Sequence, residues 1–322
     1  MNSSNQGKRE PRVVSDYIGL AIVLAGLIAV FSLKTQYFLK PTTFKMITGQ
    51  IPDAVIIAVG MTFVLIIAGI DLSVGGVLAL SGAVLGVCLV QYKLPLPVAI
   101  LACLAAGLTC GVVSGLVVSR WRIPSFIVTL GMMEISRGAA YLVTGSRTMY
   151  IGSTIEAVSG ASVLGLSLPF LVAFVIVIVG QFVLARTVFG RHMIALGTNE
   201  EAARLSGIST APVKVAVFAI SGLLCAVAAV VQCSRLASAD PNMGTGAELA
   251  AIAAVVIGGT SLMGGRGSVV SSFFGVLVIA VLGTGLVQVG AQEPTKRLIT
   301  GCVIVAAVIL DHYRHRLQER RR

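Results

Sequence analysis

The chain has 322 residues, of which 56% are hydrophobic and only 11% are charged. A soluble globular domain carries about 25% charged residues, so this composition, with its long apolar runs, excludes a soluble protein and indicates one that crosses a membrane several times. The formal net charge of +11 comes from basic residues in predicted loops and tails. Membrane orientation produces this distribution, so we predict no nucleic-acid partner.

Ten apolar runs are candidate transmembrane helices, because about 20 residues of helix cross the apolar layer of a membrane. They are Tyr17–Leu33, Ile51–Gly69, Leu72–Val90, Val98–Val118, Ser125–Val143, Pro169–Leu184, Val213–Val231, Leu249–Met263, Val269–Val289 and Leu298–Leu310. The eighth and the tenth are short. Helices are expected, since backbone polar groups in lipid need internal hydrogen-bond partners. The predicted fold class is an all-α polytopic membrane protein with about ten transmembrane helices.

The basic residues orient these spans. With the N-terminus in the cytoplasm, the Lys and Arg residues of the inner loops and tails outnumber those of the outer loops, as the positive-inside rule requires. Both termini are then cytoplasmic. We predict a cytoplasmic N-terminal tail over residues 1–16, one transmembrane domain over 17–311 and a basic cytoplasmic C-terminal tail over 312–322.

Four polar residues within or between the predicted spans are candidates for the transport path, because charge at this depth costs roughly 2.5–3.5 kcal/mol on insertion scales and usually faces a cavity or a partner. Asp71, in the stretch AGIDLSVGG, lies between the second and third spans. We expect Asp71 or Ser73 to cap the third helix; the alternative is a residue of a gate or a transport path. Glu134 and Arg137 are three residues apart on one face of the fifth span. They can form an internal ion pair or line a polar cavity.

The stretch TNEEAARLSGI forms a polar, helix-like fragment in the cytoplasmic loop after the sixth span. Thr198 and Glu201 have the spacing of a capping box. Glu200 and Arg204 are spaced for an ion pair, and Gly207 is placed to end the helix. A helix of about two turns is too short to be stable alone in water. The fragment is either a surface helix of a loop or a coupling helix that transmits motion from a cytoplasmic partner.

One short pattern occurs twice. IGGTSLMGG, at Ile257–Gly265, echoes AGIDLSVGG, at Ala68–Gly76, because both put small and polar residues after an apolar run. The match indicates either an internal duplication or close helix packing through small residues.

Several stretches resemble one protein family. EAARLSG matches the EAA-x3-G pattern of importer permeases that work with ATP-binding-cassette (ABC) subunits. AVGMTFVLIIAGIDLSVGGVLALSGAVLG, SFIVTLGMMEISRG, GRHMIALGTNEEAARLSGI and GTGAELAAIAAVVIGGTSLMGGRGSVVSSFFG resemble segments of the ribose-type sugar permeases. The resemblance extends from about Phe38 to Leu310.

The resemblance implies a permease of the bacterial inner membrane. It would act as a dimer, with a homodimer expected, fed by a periplasmic sugar-binding protein and driven by a separate ATPase subunit that binds ATP and Mg. The helix of the EAA pattern would dock in a groove of the ATPase. The resemblance and the predicted helix together assign this coupling role to seven residues. They are Thr198, Glu200, Glu201, Ala202, Ala203, Arg204 and Gly207.

The sequence lacks the signatures of a catalytic chain. It has no G-x-x-x-x-G-K-[ST] phosphate loop, and its six cysteines have no paired metal-ligand spacing, so we predict no enzyme activity, metal or cofactor in this polypeptide. The rival function is an ion-coupled secondary transporter with Asp71, Glu134 and Arg137 as the relay. Within the favoured class, the cargo could instead be a hexose, a furanose signalling sugar or a nucleoside.

Overall fold

The structure is a computed structural model that describes residues 11–163, 166–292, 294–296, 298–303, 305–306 and 309. Most of these residues are helical. The helices are α1 (Pro11–Lys34), α2 (Pro41–Gln50), α3 (Pro52–Ile66), α4 (Val74–Val90), α5 (Leu96–Trp121), α6 (Ser125–Thr144), α7 (Ser153–Gly160), α8 (Leu168–Arg186), α9 (Val188–Thr198), α10 (Glu200–Leu205), α11 (Thr210–Leu236), α12 (Ala247–Ile257) and α13 (Val269–Gln288).

The described strands are two residues long and form two antiparallel ladders. β1 (Met149–Tyr150) pairs with β4 (Ser238–Ala239), and β2 (Ser162–Val163) pairs with β3 (Leu166–Ser167). Within the described residues, five helices are long and apolar enough to cross a membrane, namely α5, α6, α8, α11 and α13; a sixth span results if α2 and α3 count as one bent span. The fold is therefore that of an all-α polytopic membrane protein.

Eight of the ten predicted spans correspond to helices of similar length, and the eighth and the tenth differ. The first seven and the ninth each match one helix to within a few residues at most ends. The eighth was predicted too long, because α12 ends at Ile257 and the glycine-rich residues after it are not helical. The tenth lies only partly within the described residues.

The chain divides into two compact units. The smaller unit contains the described residues up to Phe44 and those from Leu277 onwards. In it, the rings of Phe31 and Phe38 lie 5.5 Å apart, and the Gln288 side-chain amide donates a hydrogen bond of 2.8 Å to the Thr43 hydroxyl. These contacts pack the end of α1 and the residues after it against the end of α13.

The larger unit, Lys45–Val276, is built around α3 and α4. Every residue of α3 except Asp53 and Ala54 is buried, as expected for a helix that is apolar on all sides. The helices α5, α6, α8 and α11 pack around this pair, and their outer faces expose large apolar side chains such as Leu101, Ile135 and Phe182. The helices that meet lipid thus enclose two that do not.

Small residues bring α5 and α11 into close contact. Gly107, Gly111 and Gly115 recur every fourth residue along α5. A Cβ added at Gly107 would overlap the carbonyl oxygen of Gly222, and one at Gly111 would overlap that of Phe218. This is the small-xxx-small packing by which membrane helices approach closely.

Two breaks interrupt the helices of the larger unit, at residues 67–73 between α3 and α4 and at 258–268 between α12 and α13. Both helices end in a Schellman motif, with a φ of +57° at Ala68 and +86° at Gly259. The bonds are Ala68 N to Leu65 O (2.9 Å), Gly69 N to Val64 O (2.9 Å), Gly259 N to Val256 O (2.8 Å) and Thr260 N to Val255 O (3.1 Å). The repeated pattern in the sequence thus marks two similar breaks. In the structure, Ala68 is equivalent to Gly259. The match of the two sequences had paired Ala68 with Ile257, two residues earlier.

Candidate coupling and translocation sites

The helix α10, at the EAA pattern, is capped at its N-terminus by Asn199. The Asn199 side-chain oxygen accepts a hydrogen bond of 2.9 Å from the Ala202 amide. The predicted capping box at Thr198 is wrong, because Thr198 is the last residue of α9 and its hydroxyl donates to the Ile194 carbonyl at 2.8 Å. Asn199 has the extended backbone that a cap requires, with φ −162° and ψ 104°, and Thr198 remains helical.

Gly207 ends the fragment, as predicted. Its φ is +84°, in the left-handed region that glycine adopts most readily. The Gly207 amide donates to the Arg204 carbonyl at 3.0 Å, and the Ile208 amide donates to the Ala203 carbonyl at 3.0 Å. This is again the Schellman pattern, so α10 is capped at both ends by its own residues.

The charged residues of α10 pair differently from the prediction. Arg204 lies 2.6 Å from Glu201 and not against Glu200. Glu200 instead lies 2.6 Å from the ammonium group of Lys214, on α11. The hydrogen bond and charge of Arg204 lower the pKa of Glu201, and Glu201 in turn raises the pKa of Arg204. The predicted pair was wrong because Glu200 has a tertiary partner that the helical spacing does not reveal.

Most of α10 faces outward. Ala203 is buried, whereas Glu200, Glu201, Ala202 and Arg204 are exposed. Leu205 is 79% exposed, although a leucine gains from burial. The helix therefore presents an apolar side chain, flanked by charges, that the described part of the chain does not cover.

Asp71 lies in the first break, between α3 and α4, and its carboxylate is buried. One oxygen accepts from the Ser73 amide at 2.9 Å and from the Ser73 hydroxyl at 2.6 Å. The other accepts from the Ser221 hydroxyl of α11 at 2.8 Å. Ser73 is the N-cap residue of α4 but makes no side-chain bond to the helix. Asp71 thus organises the entry to α4 and ties it to α11.

Two side chains of α6 support the backbone of the same break, and neither was among the residues predicted from the sequence. The Ile70 amide donates to the Ser125 hydroxyl at 2.8 Å. The Leu72 amide donates to the Thr129 hydroxyl at 3.0 Å, and that hydroxyl donates to the Ile70 carbonyl at 3.1 Å. Backbone outside a helix that is even partly shielded from water needs such partners. The available signal was a serine and a threonine four residues apart at the start of an apolar helix.

Glu134 and Arg137 do not pair, so the predicted internal ion pair is wrong. Arg137 donates to the carbonyl of Pro241 at 2.9 Å and to that of Met243 at 2.7 Å, because these buried loop carbonyls need donors. Glu134 is exposed on the surface of the larger unit. No hydrogen bond joins Asp71, Glu134 and Arg137 to one another among the described residues.

The first turn of α12 brings a further carboxylate close to α4. Glu248, in the first turn of α12, has a buried oxygen that accepts no hydrogen bond from the described residues. That oxygen lies 2.5 Å from the position a Cβ would take on Gly75. Glu248 was not among the residues predicted from the sequence. Within the described part of the chain, no group of three or more His, Cys, Asp or Glu residues could hold a metal ion.

Comparisons with known proteins identify the family. Residues 43–308 match a family described as the permease component of branched-chain amino acid transport systems. A ribose import permease protein of Haemophilus influenzae is 41% identical over 297 residues, which cover 91% of this chain and 92% of that protein. A fructose import permease protein of Rhizobium meliloti is 31% identical over 309 residues, which cover 92% of this chain and 85% of that protein. No solved structure matches the chain significantly. The chain therefore belongs to this family of transporter permease components, whose members are transport subunits and not enzymes.

Proposed function

We propose that the chain is the transmembrane subunit of an ABC importer that moves a monosaccharide, a ribose-like pentose or a related sugar, into the cytoplasm. The names of its relatives support this cargo, since they include ribose, fructose and D-allose permeases. A separate ATPase subunit, which binds ATP and Mg, supplies the energy.

The exposed helix α10 carries this proposal. It is capped at both ends and anchored by Ala203 and by the ion pair from Glu200 to Lys214. It also exposes Leu205. An apolar side chain on a rigid, charged helix is suited to the helix-in-groove mode of recognition. We assign this surface to the ATPase, as the coupling helix that the EAA pattern implies.

The finer architecture is part of the same proposal. Ten spans, with both termini in the cytoplasm, place α10 on the cytoplasmic side of a bacterial inner membrane. The permease domain covers 17–311, between cytoplasmic tails at 1–16 and 312–322. A periplasmic sugar-binding protein docks on the outer loops, and two identical chains form the working permease.

The proposed transport path runs along the face of α6 that bears Glu134. Exposed carboxylates in a membrane helix are costly against lipid, so they usually face a cavity or a partner. Gly131 and Gly138 lie on the same face of α6 and have open space around them, which allows a second copy to approach. The path would pass Glu134 and lead toward Arg137 and Glu248.

The test measures ATPase binding and uptake with Leu205→Glu and a control, Tyr150→Glu. Tyr150 is 80% exposed but is assigned to the outer side. The wild-type chain should co-purify with an ATPase subunit, and its uptake of sugar should require ATP and persist with a protonophore. Leu205→Glu should weaken ATPase binding by roughly tenfold, the equivalent of about 1.4 kcal/mol, and Tyr150→Glu should not. Uptake that needs no ATPase and collapses with the protonophore would establish the ion-coupled rival instead.

A further inference from the structure

Three backbone segments meet immediately before α10. They are the end of α9, the end of α3 and the glycine-rich break after α12. The Gly265 amide donates a hydrogen bond of 2.8 Å to the Ile66 carbonyl. We name this meeting point the glycine junction, and define it by Ile66, Ala68, Gly197, Gly264 and Gly265.

No side chain separates the three glycine backbones from their neighbours at the junction. A Cβ added at Gly197 would overlap the carbonyl oxygen of Ile66 and would lie 2.7 Å from the Gly265 amide nitrogen. A Cβ at Gly264 would lie 2.7 Å from the Gly197 carbonyl oxygen and 2.8 Å from the Ala68 Cβ. Close-packed contacts have little compressibility and transmit strain. A displacement of one segment is therefore passed directly to the other two.

The junction is joined to α10 by a very short piece of chain. Thr198 follows Gly197, and Asn199, the N-cap of α10, follows Thr198. The Thr198 hydroxyl lies 2.6 Å from the position of a Cβ on Gly265. A movement of the N-terminus of α10 thus reaches the break that leads to Asp71 and α4, and also the break that leads to α13.

We propose that the glycine junction moves as one body with α10 during transport and carries its motion to both helix breaks. The proposal rests on the proposed function of α10 as the coupling helix. It assigns a role to the segment SLMGGRGS, which the coupling pattern itself does not include. The break between α3 and α4 and the break between α12 and α13 then move together, because both contact α9 at the glycine junction.

The first experiment compares Gly265→Ala with Gly259→Ala. Gly259 lies in the same break and has a φ of +86°, against +72° at Gly265, but a Cβ there meets nothing within 4 Å. Both variants share the backbone strain, and only Gly265→Ala pushes against Thr198. Each is reconstituted in proteoliposomes with its ATPase subunit and binding protein, and the sugar imported per ATP hydrolysed is measured. Gly265→Ala should lower this ratio by roughly fivefold or more, the usual range of coupling between sites, and Gly259→Ala should leave it near the wild-type value.

A double variant tests the contact itself. Thr198→Ala removes the hydroxyl that lies closest to the added Cβ, so the double variant should regain part of the ratio lost in Gly265→Ala. The ratio measured in Thr198→Ala alone completes the double-mutant cycle. A non-additive result of this kind identifies residues in contact. Equal losses in Gly265→Ala and Gly259→Ala, or no rescue, would overturn the proposal. Such a result would leave the proposed binding of the ATPase through Leu205 intact, because that binding is tested separately. Failure of the junction proposal can therefore be distinguished from failure of the proposed function.

A distance measurement covers the case in which Gly265→Ala does not fold. Ser206, the C-cap residue of α10, and Met263 are both exposed, and spin labels at these two positions, in a background without native cysteines, report on α10 and on the loop of the junction. The distance between the labels should stay constant with and without ATP in the assembled transporter. A change of several ångströms would show that α10 and the junction move separately, which contradicts the proposal.

Discussion

The ammonium group of Lys214 lies 2.6 Å from the carboxylate of Glu200, which joins the first residue of α10 to the start of α11. The Lys214 side chain is 17% exposed, and that of Glu200 is 50% exposed. A pair as exposed as this contributes little to stability, typically below about 1 kcal/mol. Its consequence is geometric, because it orients α10 relative to α11, the long helix that also carries Ser221, whose hydroxyl donates to Asp71.

Lys214→Met should therefore impair coupling more than stability. We expect the free energy of unfolding to change by less than about 1 kcal/mol, while less sugar is imported per ATP in reconstituted vesicles. The matched control is Arg235→Met, since it removes another ion pair of α11, the one to Asp53 at 3.1 Å, which does not involve α10. Normal coupling in Lys214→Met would show that the pair has no orienting role.

Asn199→Ala should loosen α10 locally. It removes the side-chain oxygen that accepts from the Ala202 amide, and the loss of a cap costs about 1 kcal/mol. Amide hydrogen exchange in the peptide that covers residues 199–208 should become several-fold faster, because a short helix depends on its caps. Thr198→Ala is the control, since its hydroxyl bonds back within α9. If amide exchange became equally faster in both variants, Thr198 would contribute to the N-terminal cap of α10 as the sequence predicted.

The helices, including the short helix α10, could be predicted because their signals are local. Long apolar runs mark the spans, and a glycine that follows a short polar helix marks its end. The length of α12 could not be predicted in this way, because the residues after Ile257 are still partly apolar while two glycines end the helix. A hydropathy window averages over that change.

Polar pairing was harder to predict, since it depends on tertiary neighbours. The spacing of Glu134 and Arg137 allows an ion pair, yet the guanidinium instead bonds two loop carbonyls about a hundred residues away in sequence. The supports of the first break, Ser125 and Thr129, were invisible for the same reason. Their role exists only because α6 packs beside a segment whose backbone lacks helical partners.

Arg137→Met should destabilise the fold. The carbonyls of Pro241 and Met243 would lose their donors, and a buried polar group without a partner costs roughly 1–3 kcal/mol. The midpoint of thermal unfolding in detergent should fall. Glu134→Gln, one turn away, should leave the midpoint nearly unchanged because Glu134 makes no such bond, and it should reduce uptake if this face lines the path. An unchanged midpoint in Arg137→Met would mean that water replaces the guanidinium.

The pH dependence of stability should contain a contribution from Asp240. The Thr148 hydroxyl donates to its carboxylate at 2.6 Å and the Asn242 amide donates at 2.7 Å, and these bonds hold the pKa of Asp240 below its ordinary value. A lowered pKa stabilises the folded state fully above the unfolded value, about 3.9, and this stabilisation is lost as the pH falls through the folded pKa. Thr148→Val should therefore lower the unfolding midpoint at pH 7 and have less effect below about pH 3. A variant effect that is the same at both pH values would contradict this assignment.

Ser221→Ala should weaken the hold of α11 on the first break. The Asp71 oxygen that now accepts from the Ser221 hydroxyl would be left without that donor in a buried site, and hydrogen bonds to charged groups contribute roughly 1.5–3 kcal/mol. Ser114→Ala is a matched control, because the Ser114 hydroxyl is buried and has no partner among the described residues, so its removal should be neutral or slightly stabilising. Unfolding midpoints of the two variants in the same detergent give the comparison. If Ser221→Ala is as stable as Ser114→Ala, Asp71 is held by Ser73 alone and the tie between the break and α11 does not contribute to stability.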